Sequence, residues 1–107
     1  MAERELPEWV VGHVCAVARG YELRRAYLAR YSSSGNLTAR MYLKYNAAID
    51  RVLEEVCAGE AEGEAVRRSL IDGYTWERIP DCPCGRRRFY ELKREVIYRL
   101  AQELNVF

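Results

Sequence analysis

Apolar residues recur every three or four positions along the first part of the chain, which is the spacing of one face of an α-helix. The repeat begins beside Pro7, a favourable residue for a first helical turn, and extends to about Tyr31. Its members are Trp9, Val10, His13/Val14, Val17, Tyr21 and Leu28. Gly20 interrupts the repeat, and glycine inside a helix costs about 1 kcal/mol relative to alanine. The pattern predicts a helix from Leu6 to about Tyr31 with a bend or break at Gly20.

A second apolar repeat follows a polar loop that runs from Ser32 to Asn36. Either Asn36 or Thr38 is a suitable N-cap, and the repeat ends near Gly59. Its members are Met41, Tyr45, Ala48/Ile49, Val52/Leu53 and Val56. Two long helices joined by a short polar loop tend to pack as antiparallel neighbours, which predicts a helical hairpin over residues 1–59. Its tyrosines, which we expect in the core or in a dimer seam, are Tyr21, Tyr27, Tyr31, Tyr42 and Tyr45.

A shorter third helix is predicted from Ala61 to Ile71, ended by Asp72-Gly73. Its inward residues are Val66, Leu70 and Ile71. Thr75 is then the expected N-cap of a helix of one to two turns that reaches Ile79, because Pro80 cannot continue it.

The last helix is predicted from Gly85 or Arg86 to Leu104. Phe89, Leu92, Val96, Leu100 and Leu104 form its apolar stripe. No segment shows the alternation that is typical of β-strands. The sequence therefore predicts one all-α domain over residues 1–107, with a helix-turn-helix in residues 61–107.

Composition fits a folded protein that does not enter a membrane. Half of the 107 residues are apolar and 31% are charged, a common profile for a soluble domain. No apolar run approaches the roughly 20 residues that a membrane-spanning helix needs. The first seven residues also lack the apolar stretch of a secretion signal, so we expect a cytoplasmic location.

Charge is distributed unevenly, although the net charge is only +1. Acidic and basic residues balance before Gly59, whereas the segment from Arg86 to Arg99 carries a basic excess. Its basic residues are Arg86, Arg87, Arg88, Lys93, Arg94 and Arg99, against the acids Glu91 and Glu95. Arginines in a first helical turn are opposed by the helix dipole, by several tenths of a kcal/mol each. A bound polyanion would remove that penalty, which points to nucleic acid.

A helical-wheel projection of the last helix places its apolar stripe and its charged residues on opposite faces. Opposite the apolar stripe lie Arg87, Glu91, Arg94 and Tyr98, with Arg88 and Tyr90 at the margins. A recognition helix contacts bases with its first two turns, so the candidate readers are Arg87, Arg88, Tyr90, Glu91 and Arg94. Arg86 and the free N–H groups at the helix start suit a phosphate. The alternative is a solvated charge run, in which Arg87 or Arg88 pairs with Glu91.

No catalytic or metal-binding motif is apparent. The cysteines are Cys15, Cys57, Cys82 and Cys84. A single proline separates Cys82 from Cys84 and no second pair exists, unlike the spacing of structural zinc sites. We expect both to be free thiols packed under a turn, and His13 to lie in the core or an interface. With one histidine and no recognisable nucleophile motif, we expect neither an enzyme nor a cofactor.

Three segments resemble the C-terminal part of the ArpU/RinA-type transcriptional regulators of bacteriophages and prophages. They are Tyr74-Thr-Trp-Glu-Arg-Ile79, Pro83-Cys-Gly-Arg-Arg-Arg-Phe-Tyr90 and Arg94-Glu-Val-Ile-Tyr-Arg-Leu-Ala-Gln-Glu-Leu104. The resemblance covers residues 66–107 and implies a helix-turn-helix like the fourth region of sigma factors. It implies that Arg87, Arg88, Tyr90 and Arg94 face DNA, and that Trp76, Ile79, Phe89 and Leu92 are core. The proline-containing turn at residues 81–85 departs from the family pattern.

The sequence thus favours a sequence-specific DNA-binding regulator of phage or prophage late genes that forms a homodimer through the hairpin. Two alternatives stay open. One is a sigma-like interaction module that docks on RNA polymerase or another phage protein. The other is a DNA-packaging protein similar to a small terminase subunit, which would assemble as a ring.

Overall fold

The computed structural model describes residues 5–106, with the main chain alone at Ser32. Within this range the regular structure is entirely helical, so the predicted all-α class is confirmed. The five α-helices are α1 (Glu8–Arg19), α2 (Tyr21–Tyr31), α3 (Leu37–Val56), α4 (Glu60–Asp72) and α5 (Arg86–Glu103). Single 3-10 turns lie at Ser32–Ser34 and at Trp76–Arg78.

The first predicted helix is divided at Gly20, into α1 and α2. The guanidinium of Arg24 passes over this point and donates a hydrogen bond to the carbonyl oxygen of Val17. A Cβ atom at Gly20 would lie 2.6 Å from Arg24 Nη1, closer than van der Waals contact permits. Glycine therefore does more here than weaken the helix, since its missing side chain leaves room for a buried arginine.

Helices α2 and α3 pack side by side in opposite directions. Contacts at successive turns pair Tyr21 with Asp50, Arg24 with Asn46, and Tyr27 with Tyr42. The residue numbers rise along one helix as they fall along the other, which is the order of an antiparallel pair. Asn36 caps α3 by accepting a hydrogen bond from the Ala39 N–H at 2.7 Å.

The core draws on both halves of the chain. Helix α1 packs on α4 and α5, while α3 contacts α2, α4 and α5. The largest fully buried side chains include Val10, Val14, Ile49, Val52, Val66, Leu70, Phe89, Val96 and Leu100. Most of the predicted apolar stripes thus meet in one cluster, which extends from α1 to α5.

Three sequence interpretations of the first half need correction. Trp9, which was expected on the buried stripe of α1, is 65% exposed. His13 is also exposed, so of its two predicted places the core is wrong, and the interface stays a prediction. Met41 lies near the N-terminal end of α3 and is exposed as well. These side chains share helical spacing with core residues, but no described element covers the surfaces on which they lie.

The predicted short helix from Thr75 to Ile79 is reduced to a 3-10 turn at Trp76–Arg78. Thr75 occupies the N-cap position, as predicted, but its side chain makes no capping hydrogen bond. Pro80 follows closely and prevents a longer helix. Upstream, α4 ends as expected at Gly73, whose left-handed φ of 80° suits glycine.

Candidate nucleic-acid interface

The start of α5 is an uncapped helix end that carries three arginines. Gly85 occupies the N-cap position, which therefore has no side-chain hydrogen bond, and the first turn contains no acidic residue. Helix N-termini present free N–H groups and the positive end of the helix dipole. Arg86, Arg87 and Arg88 are all exposed at this end. The combination is suited to an anionic group, because a carboxylate or phosphate would satisfy both the free donors and the arginines.

Each of the three arginines lies near a carboxylate, and the three carboxylates belong to three different elements. Arg87 Nε is 3.8 Å from Glu91 Oε2 within α5, the i, i+4 pair that the sequence offered as an alternative to DNA contact. Arg86 is 3.7 Å from Glu77 in the 3-10 turn, and Arg88 is 3.6 Å from Glu62 in α4. Glu62 and Glu77 were not predicted as partners, because helical spacing identifies partners only within one helix. The pairs of Arg86 and Arg87 are long and exposed, and such pairs contribute little and could exchange for phosphates, whereas the Glu62 side chain that faces Arg88 is only 20% exposed.

Arg94 completes the exposed face of α5 one turn after Glu91. In residues 5–106 it has no carboxylate within ion-pairing distance. It lies beside an open groove of about 510 Å³ between the N-terminal part of the chain and α5. Leu6, Val11, Tyr90 and Ile97 line this groove together with Lys93 and Arg94. Of the four residues that the helical wheel places opposite the apolar stripe, Arg87, Glu91 and Arg94 are exposed, whereas Tyr98 is half-buried.

Tyr90 is placed differently from the other candidate readers. Its side chain is half-buried, its ring packs edge-to-face on Phe89, and its hydroxyl accepts a hydrogen bond from the Trp76 N–H at 3.3 Å. The guanidinium of Arg86 lies 5.8 Å from its ring centroid. Tyr90 therefore joins the start of α5 to the preceding 3-10 turn, and its hydroxyl is already engaged with the main chain.

The side chain of Trp76 holds the turn before α5 in place. Trp76 is half-buried, and its indole N–H donates to the carbonyl oxygen of Cys84 at 3.1 Å. Ile79 and Phe89 are buried beneath it. Asp81, within the turn, adopts a left-handed φ of 54°. These contacts fix the position of the α5 N-terminus relative to α4, and therefore the direction in which its arginines project.

The cysteines near this turn pack against the core. Cys82 and Cys84 are half-buried, whereas Cys57 is buried. Burial, followed by the neighbouring Cys82, raises the pKa of Cys84 to about 11. Burial also raises the pKa of Cys57, with a further contribution from the Glu62 carboxylate. Thiols in this state are protonated at neutral pH. Among residues 5–106, no three histidine, cysteine or acidic side chains are grouped as metal ligands.

Along the described part of the chain, no helix is both long and apolar enough to cross a membrane. Comparison of the chain with protein-family models, with curated proteins and with solved structures finds no match. The function is therefore inferred from the residues and from the geometry of the α5 N-terminus.

Proposed function

We propose that the protein is a non-enzymatic, sequence-specific DNA-binding regulator that inserts the N-terminal part of α5 into the major groove. The observation that supports this most directly is the exposed arginine-rich start of α5, which has no acidic residue in its first turn and no side-chain cap. Such an end offers donors to a phosphate, while the residues one turn later reach base edges.

In this proposal Arg87, Glu91 and Arg94 contact bases. Arginine can bind guanine O6 and N7 with two hydrogen bonds, and a glutamate can accept from cytosine N4. Arg86 and Arg88 contact phosphates after releasing Glu77 and Glu62. Tyr90 supports the helix, and a base contact by its ring edge would require no loss of its hydrogen bond to Trp76. The similarity to ArpU/RinA-type regulators points to phage or prophage late genes as the targets, and to a cytoplasmic site of action.

A homodimer is part of the proposal, because one short recognition helix specifies few base pairs and a two-fold partner supplies a second half-site. The residues before Gly59 would form the contact, and the exposed Trp9 of α1 gives an apolar surface for it. Light scattering tests this directly. A dimer is expected, whereas a larger ring would favour the packaging alternative.

One observation favours the runner-up, an interaction module that docks on RNA polymerase. Arg86, Arg87 and Arg88 each have a carboxylate within 4 Å, so the cluster is partly compensated within the protein. Acidic groups on a partner protein could take the place of those carboxylates, just as DNA phosphates could. The binding experiment below separates the two, because only the DNA reader discriminates between duplex sequences.

The test measures affinity for duplex DNA from upstream of the protein's own gene cluster, and for a random duplex, over a range of salt concentrations. Arg87→Ala and Arg94→Ala are expected to weaken binding and to reduce the preference for the upstream sequence, at about 1–3 kcal/mol for each lost base contact. Arg68→Ala is the matched control, because Arg68 also pairs with a glutamate four residues away in its own helix, at 3.7 Å. If Arg87→Ala and Arg94→Ala behave like Arg68→Ala, the assignment of α5 is wrong.

A further inference from the structure

A second region of strong positive charge lies far from α5 in the sequence. The hairpin tip, residues 23–49, comprises most of α2, the loop and the first half of α3. It contains the basic residues Arg24, Arg25, Arg30, Arg40 and Lys44, and it contains no acidic residue. The balance of charge before Gly59 conceals this feature, because Glu22 precedes the tip and Asp50 follows it. The segregation is visible when the charges are counted over the tip alone.

The five cations of the tip differ in their availability. Arg24 is buried and donates from Nε to Asn46 Oδ1 at 2.7 Å, so it is part of the fold. Arg25 is exposed and lies 3.5 Å from Glu22. Arg40 and Lys44 are exposed one turn apart on α3, and within residues 5–106 neither has a carboxylate in ion-pairing distance. Since residues four apart share a helix face, these two cations project from the same side of α3.

We propose that the hairpin tip binds the phosphate backbone of duplex DNA, chiefly through Arg40 and Lys44. Phosphate contacts by lysine and arginine release condensed counterions, which provides affinity without sequence information. The inference rests on the proposed function for the identity of the polyanion, and it adds a second contact that α5 does not provide. Arg25 and Arg30 on α2 are also exposed, and Arg30 is 5.6 Å from the ring centroid of Tyr31.

The tip and the arginines of α5 lie toward opposite ends of the molecule. Helix α5 runs antiparallel to the second half of α3, because Arg51 pairs with Glu103 and Glu55 pairs with Arg99. The first half of α3 therefore continues past the C-terminal end of α5, away from the N-terminus of α5. The longest dimension of the molecule is 43 Å, somewhat more than one turn of B-DNA at about 34–36 Å. The two surfaces can therefore lie no more than about one helical turn apart on a duplex that contacts both.

The competing occupant of the tip is a second copy of the chain. Five large apolar side chains of the tip are between 43% and 79% exposed, so its surface is mixed rather than purely polar; they are Leu23, Tyr31, Leu37, Met41 and Leu43. Charge argues against the pairing of two tips, because like cations would face each other with no acid in either tip to offset them. A phosphate backbone carries one sign of charge along its length and matches a surface that carries only the other.

The test uses the full chain, a random-sequence DNA duplex and a monovalent salt titration. The variant Arg40→Gln/Lys44→Gln is compared with Arg51→Gln/Arg68→Gln, which removes two arginines that have carboxylate partners, one of them exposed and the other half-buried. Two lost phosphate contacts should reduce the slope of log affinity against log salt by about 1.8, since each contributes about 0.9. The control pair should leave the slope close to that of the unmodified protein. Circular dichroism confirms that both variants are folded.

Parallel measurements on Arg87→Ala separate this inference from the proposed function. A reduced slope for the tip variant supports the inference, even if Arg87→Ala has no effect and the α5 assignment fails. An unchanged slope for the tip variant overturns the inference, even if Arg87→Ala abolishes sequence preference. A slope reduced equally by the control pair overturns it too, because the effect would then be one of net charge. If the tip variant has a lower mass than the unmodified protein by light scattering and an unchanged slope, the inference is overturned in favour of self-association through the tip.

Discussion

The guanidinium of Arg88 lies against the carboxylate of Glu62, with 3.6 Å between Arg88 Nε and Glu62 Oε2. The pair joins the first turn of α5 to the first turn of α4. The Glu62 side chain is only 20% exposed, and its other oxygen, Oε1, is buried without a hydrogen-bond partner. Arg87, the preceding residue, is 94% exposed and pairs within its own helix. Arg88 thus pairs with a largely buried carboxylate of another helix, whereas Arg87 pairs with an exposed carboxylate of its own helix.

The first prediction compares these neighbours. Arg88→Ala should lower the free energy of unfolding by about 1 kcal/mol, because it leaves a largely buried carboxylate without its positive partner. Arg87→Ala should change it by less than about 0.5 kcal/mol, as is usual for an exposed pair. Urea denaturation at neutral pH, followed by circular dichroism, measures both. Equal losses would show that the pair with Glu62 contributes no more to stability than the exposed pair.

Helical periodicity predicted much of the fold because each element obeys local rules. Phe89 and Val96 lie on the apolar stripe of α5 and are fully buried. Gly73 ends α4 because the chain needs a left-handed residue there, and the sequence Asp-Gly indicates such a stop. Gly20 was expected to interrupt a helix, and it does. Signals of this kind depend on a few neighbouring residues and are therefore present in the sequence.

Tertiary relationships were harder to predict, for a physical reason. Periodicity shows which side chains could be buried together, but not whether enough other elements exist to cover them. Trp9 is exposed because α4 and α5 cover the side of α1 that carries Val10 and Val14. The pair of Arg87 and Glu91 follows from helical spacing, whereas that of Arg88 and Glu62 depends on how two helices pack.

A second prediction concerns the buried polar contact between α2 and α3. Asn46 accepts a hydrogen bond from Arg24 Nε and donates one to the carbonyl oxygen of Tyr21. Asn46→Ala should lower the free energy of unfolding by about 1–3 kcal/mol, because it leaves buried polar groups unsatisfied. Asn46→Asp keeps an acceptor for the guanidinium, so its free energy of unfolding should fall by less. Thermal and urea unfolding of both variants provide the comparison. Equal stability of Asn46→Ala and the unmodified protein would contradict the assigned role.

A third prediction separates support from recognition at Tyr90. Tyr90→Phe removes the acceptor of the Trp76 N–H while it keeps the ring against Phe89. The free energy of unfolding should fall by about 0.5–1.5 kcal/mol, the usual net value of a hydrogen bond. DNA affinity and sequence preference, measured under conditions in which the variant is folded, should remain close to those of the unmodified protein. A marked change in preference with unchanged stability would instead identify the hydroxyl as a base contact.

The last prediction concerns the reactivity of Cys84, whose pKa is raised to about 11 by burial and by the adjacent Cys82. Alkylation proceeds through the thiolate, so its rate should stay low at neutral pH and rise until the pH approaches about 11. Because the folded state favours the protonated thiol, its contribution to stability is present below the ordinary thiol pKa and is lost as the pH rises above it. Cys82→Ser should shift the alkylation profile of Cys84 to lower pH. Iodoacetamide labelling, resolved by peptide mass spectrometry, measures these profiles, with urea-unfolded protein as the control. Identical profiles in folded and unfolded protein would show that the turn does not protect this thiol.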